Sequence, residues 1–151
     1  MILRPVNPVS PIGPPVVKRP EGLIKKLNPK DFEVFIDLIF RASGWSRIGL
    51  LGDTMKDIDI ELLAPVTNER AVVQIKSKSN LETYRKFKEK LSDYKEYDKI
   101  FFVTHSPDKD LEEYIKLKSD DEDEIIIYDA NRISELSINA GLIEWLISIA
   151  I

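Results

Sequence analysis

The sequence predicts a single α/β domain with a mixed central sheet flanked by helices, and three observations carry that expectation. Helical and extended hydrophobic periodicities follow one another in the order α, β, β, β, α, β, α, β, α. Two of the extended segments are joined by a turn short enough for a hairpin, whereas the later ones are separated by helices, so antiparallel pairing should give way to crossovers. The chain has 151 residues, 43% of them hydrophobic, which suits one domain core.

Residues 1–20, MILRPVNPVSPIGPPVVKRP, hold most of the prolines, which remove backbone donors and bias their neighbours toward extended conformations. We read them as an N-terminal arm, either docked through its Val and Ile residues on the domain or on a second copy or else a partly disordered tail, with residues 21–151 forming the domain. Asn28-Pro29-Lys30-Asp31 then signals a helix start: a capping residue, proline at the first helical position and an early acid suited to the helix dipole. This helix should run to Ser43 and stop at Gly44, with only Glu33, Asp37 and Arg41 as a polar stripe.

Three strands follow: 47–51, the alternating Asp57-Ile58-Asp59-Ile60-Glu61-Leu62, and Ala71-Val72-Val73-Gln74-Ile75-Lys76. Turn residues between positions 65 and 69 predict a hairpin between the last two. An amphipathic helix is expected over 80–96, a buried strand over 99–104, a helix over 108–118, a strand over 125–128, and a helical segment over 131–150 broken near Asn139-Ala140-Gly141.

Cysteine is absent, which excludes a disulfide framework and thiolate zinc modules. The net charge of −4 argues against coating nucleic acid through bulk positive charge, although residues 1–30 are basic and residues 120–124 are all acidic. No apolar run approaches the roughly 20 residues of a membrane span, and the chain is read as cytoplasmic.

The candidate chemistry lies on the hairpin. Alternation puts Asp57, Asp59 and Glu61 on one face of their strand, and Gln74 and Lys76 on the corresponding face of the next. With the turn near Val66 or Thr67, Ile60 falls roughly opposite Gln74, and Asp59 lies within a residue or so of Gln74 and Lys76. A carboxylate, an amide oxygen and an ammonium in one place suit phosphodiester hydrolysis with a hard divalent cation. Asp59 would be a direct ligand, the Ile75 carbonyl and Gln74 further oxygen donors, and Lys76 a stabiliser of developing charge. Glu33 would complete the site directly or through water. The competing structural reading is a cross-strand Asp59–Lys76 ion pair on a solvated face.

Phe32-Glu33, the Gly44-Trp45 stop, Asp59, Gln74-Ile75-Lys76 and the strand KIFFVTHS together resemble the PD-(D/E)xK superfamily over residues 28–106. The likeness is to its Mrr-like restriction endonuclease branch, with a QxK variant, and then to archaeal Holliday junction resolvases. The resemblance implies a restriction-endonuclease-like three-layer α/β/α core in αβββαβ order, extended here by a C-terminal strand and helices. It also implies Glu33, Asp59, Gln74 and Lys76 as the active constellation, Mg²⁺ or Mn²⁺ as cofactor, and duplex or branched DNA as substrate. A homodimer is expected for two-strand cleavage, with 142–151 as candidate interface. Thr54-Met55-Lys56-Asp57 stands where that branch has a glycine-rich approach, and Asp53 and Asp57 add carboxylates nearby. A catalytically weak or inactive module that binds nucleic acid or a protein is the alternative, followed by a purely structural subunit. His105 reads as a structural or surface histidine before a ligand or general base, and the lysines at 76, 78, 86, 88 and 90, interleaved with Glu82, Glu89 and Asp93, read as a solvated face before a phosphate track.

Overall fold

The computed structural model describes residues 20–48, 58–118 and 124–150; the arm through Arg19, together with Asp53 and Asp57, lies outside these. Helix α1 spans Pro29–Ala42. Asn28 accepts from the Asp31 N–H at 2.8 Å, and the C-terminal turn closes with Ser43 donating to the Ile39 carbonyl at 2.7 Å. Gly44 follows at φ +97°, a conformation that disfavours a β-carbon.

Five strands form one sheet in sequential order: β1 (Ser46–Ile48), β2 (Ile60–Ala64), β3 (Glu69–Ser79), β4 (Lys99–Pro107) and β5 (Ile125–Tyr128). β1, β2 and β3 are antiparallel neighbours, whereas β3, β4 and β5 run parallel. The parallel pairs need crossovers, supplied by α2 (Leu81–Glu89) with a 3₁₀ turn (Leu91–Tyr94), and by α3 (Lys109–Leu117). Helices α4 (Ala130–Asn139) and α5 (Ile143–Ala150) follow, joined through Gly141 at φ +72°.

The sheet separates two apolar layers. On one face, Phe32, Phe35, Ile36, Ile39 and Phe40 of α1 pack with Ile60, Val73, Ile75, Phe101 and Val103, and with Ile133 and Leu146 of the last two helices. On the other, Tyr84, Phe87, Tyr94 and Leu111 cover Val72, Ile100 and Phe102. Strict alternation along β3 and β4 feeds both layers, as period-2 side-chain geometry requires.

Several boundaries differ from expectation. β2 begins at Ile60, not Asp57, and β3 extends three residues beyond Lys76. The helix expected over 80–96 is divided at Lys90, because the tighter 3₁₀ turn swings Tyr94 inward onto Phe87, with ring centroids 5.8 Å apart. Ile60 pairs with Val73 and not with Gln74, a one-residue difference that keeps both on the α1 face.

Candidate active site

β2 runs antiparallel to β3 with its entry, Ile60, opposite Val73, and α1 packs on the face that Ile60, Val73 and Ile75 share. Asp59 stands at that entry. Its backbone N–H donates to the Val73 carbonyl at 2.9 Å, and its Oδ2 accepts from the Ile75 N–H at 2.6 Å. These two bonds bracket Gln74 and hold the carboxylate against the β3 backbone. Ile58 packs in the α2 layer while Ile60 packs in the α1 layer, so the alternation expected across 57–62 breaks at Asp59. A carboxylate that satisfies a β3 backbone donor takes the place of a ladder residue there.

The break separates Asp59 from Glu61. Glu61 accepts from Arg70 and from the Tyr97 hydroxyl, each at 2.8 Å, while the Arg70 guanidinium lies 4.9 Å from the Tyr97 ring centroid. Burial and the Glu61 bond push the Tyr97 phenol up to about 12. This cluster is internally satisfied and has a structural role.

Glu33 is half-buried on α1. Its carboxyl is held above the usual carboxylate range, first by burial, then by the charge of Asp59, with Lys76 pulling in the opposite direction. The structure therefore brings Asp59 and Lys76 within electrostatic reach of Glu33. Ile75 contributes through its backbone; its side chain belongs to the α1-side core.

Gln74 is placed differently from the other three. It is only 4% exposed and pairs in register with Phe102, which puts its side chain under α2. Its Oε1 is buried and has no hydrogen-bond partner among the described residues. With Lys76 it lines a cavity of about 150 Å³ that also receives Thr83, Lys86 and Lys90, the two lysines among those the sequence reading left on a solvated face. Lys76, exposed at the open end of β3, is common to both sides of the site.

Among the described residues no group of three or more His, Cys, Asp or Glu side chains gathers around a point. Two mutually repelling carboxylates and the Ile75 carbonyl nevertheless offer oxygen donors, the chemistry a hard divalent cation takes, whereas the Gln74 amide expected among them lines the cavity under α2 instead. The group fits the residues present.

His105 is 2% exposed, with Nε2 bonded to the Leu27 carbonyl at 3.0 Å, Nδ1 to the Ser106 hydroxyl at 2.7 Å, and Phe32 edge-on at 4.5 Å. Burial lowers its pKa. Both nitrogens are used in holding the segment before α1 to the end of β4, the structural role expected from sequence.

No curated protein matches the chain. Among solved structures, the DNA modification-dependent restriction endonuclease AspBHI is similar, with 18% identity and a TM-score of 0.49 over 99% of this chain and 44% of that one. The chain thus spans less than half the length of that protein. No described helix is long and apolar enough to cross a membrane. The restriction endonuclease family Mrr_cat matches residues 24–137, from the segment before α1 into α4, and the chain belongs to that family.

Proposed function

We propose that this chain is a Mg²⁺- or Mn²⁺-dependent endodeoxyribonuclease that hydrolyses phosphodiester bonds of duplex or branched DNA, with Asp59, Glu33 and the Ile75 carbonyl as the donor set and Lys76 beside them. The observation that supports this reading most directly is the Asp59 carboxylate held by the Ile75 N–H, next to Lys76 and within electrostatic reach of Glu33, in a restriction endonuclease family member. When bound, the divalent cation supplies Lewis-acid polarisation of the phosphate and eases deprotonation of water.

The chain's own residues do the rest. Asp59, fixed by the Ile75 N–H, presents a carboxylate that needs no reorganisation. Glu33, more basic than an ordinary carboxylate, takes a proton from the attacking water. Lys76 places its ammonium against the charge that builds on the phosphate. The water oxygen bonds to phosphorus, one ester P–O bond breaks, and the departing oxygen is protonated from solvent. Two copies related by a two-fold axis would cut both strands.

A second reading, a nuclease-fold module that binds without cutting, is favoured by the two-carboxylate site and the neutral Gln74. Incubation of purified protein with labelled duplex, single-stranded and four-way junction DNA in Mg²⁺, Mn²⁺ or EDTA separates the two. Metal-dependent cleavage is expected in wild type and should be lost in Asp59→Asn, which keeps an acceptor for the Ile75 N–H and hence the fold. Lys76→Ala should lower the rate about 10²-fold or more. Wild-type protein that cuts no substrate with either metal refutes the nuclease and leaves the binding module.

A further inference from the structure

The groove under α2 has features the hydrolytic reading does not use. Lys86, in the last turn of α2, and Lys90, the residue that caps its C-terminus, both line this cavity. Thr83 lines it too. Phe87 and Phe102, both buried, form the apolar floor. Three lysines facing one concavity stand out in a chain of net charge −4. Lys86 is shared with Glu82 at 3.4 Å, but both side chains are largely exposed, so this pair is weak and exchangeable.

An independent observation marks the groove as a binding place. Gln74 Oε1, inside a side chain 96% removed from solvent, has no partner among the described residues, and the side chain lines this cavity. An amide carries both an acceptor and two donors. Its oxygen suits an ammonium drawn inward, and its NH₂ suits an anionic oxygen. A phosphate in the groove would accept from the amide NH₂ and draw a lysine ammonium toward the unpartnered Oε1, with Lys76, Lys86, Lys90 and Thr83 lining the same cavity.

We propose that this groove binds a non-scissile phosphate of the DNA backbone, next along the strand from the one at Lys76, through Lys86, Lys90, Thr83 and the Gln74 amide. The proposal rests on the nuclease reading for its placement, since Lys76 lines both the groove and the hydrolytic site. Its chemistry is separate: the groove holds and registers the strand, and no bond is made or broken there. Phosphate contacts of this kind position a duplex without reading its sequence.

Binding can be tested apart from cleavage. Fluorescence anisotropy with labelled duplex in EDTA gives Kd across a salt series for wild type, for Lys86→Gln/Lys90→Gln, and for the charge-matched Lys25→Gln/Lys116→Gln, whose lysines line a different cavity. The groove variant should bind about tenfold more weakly, and its log K against log salt slope should fall by about 1 to 2, at roughly 0.9 per phosphate released. The control should change neither by more than a fraction of that. Unchanged affinity and slope, or an equal loss in the control, overturns the phosphate site. Tight calorimetric binding of inorganic phosphate with unaltered DNA affinity would assign the groove to a free anion and also overturn it. Absence of cleavage in all three proteins would count against the nuclease reading alone, because the anisotropy result stands without chemistry.

Discussion

Gln74→Met should make the protein more stable while removing what the site needs. The amide is 4% exposed, and its Oε1 has no partner among the described residues. A buried acceptor without a partner costs about 1–3 kcal/mol in desolvation. Methionine is unbranched and close to glutamine in length, and its thioether would lie over Phe87 and Phe102, which line the same cavity. The substitution should therefore recover about 1–3 kcal/mol. In a domain of this size each kcal/mol moves the melting temperature by about 2–4 °C, so a rise of roughly 2–12 °C is expected in metal-free buffer. Gln74→Glu should go the other way. A carboxylate in that place loses its hydration, so the metal-free melting temperature should fall, and Mg²⁺ or Mn²⁺ should restore part of it if position 74 donates to a cation. Differential scanning calorimetry in EDTA and in each metal reads all of this. A Gln74→Met protein that melts at or below the wild-type temperature would show that Oε1 is satisfied in solution, and would remove the main support for a ligand in the groove.

Two further outcomes follow from named residues. Because burial and Asp59 raise the Glu33 pKa above 4.5 in the folded state, the fold binds this proton more tightly than the unfolded chain does; that stabilisation is complete below about pH 4.5 and is lost as pH rises through the folded value. Glu33→Gln should accordingly raise the melting temperature at pH 7, with the gain shrinking toward pH 4, and wild-type cleavage should fall as acid protonates Glu33; an equal shift at both pH values would contradict the assignment. Gly141→Ala should cost about 1 kcal/mol, measured by urea denaturation, because φ is +72° while the space around a β-carbon is open; a neutral result would mean that the α4–α5 turn relaxes freely.

Much of the fold was legible in local patterns. The Asn28 cap, the Gly44 stop, the alternation of β3 and β4 and the break at Asn139–Gly141 are decided by neighbours in the chain, through capping bonds, backbone freedom and side-chain period. The same patterns singled out Glu33, Asp59, Gln74 and Lys76 as candidates. They did not show that Asp59 leaves the strand alternation, because that depends on a bond to the Ile75 N–H across 16 residues. Nor did they show that Glu61 is consumed by Arg70 and Tyr97, the latter 36 residues away.

What the sequence by itself determined, then, is the element order, the two-sided sheet and the residues with the right chemistry, since each follows from periodicities of two or 3.6 residues and from turn-forming side chains. Only the tertiary structure decided how those residues divide: Asp59 and Lys76 within electrostatic reach of Glu33, and Gln74 turned under α2 among lysines that look solvated when read along a single helix. The division arises because the pleat sends Gln74 to the face opposite Ile75, and the crossover from β3 to β4 lays α2 over that face. Spacing along the chain can bring Lys86 and Lys90 near one another, but the packing of α2 against the sheet is what makes the groove.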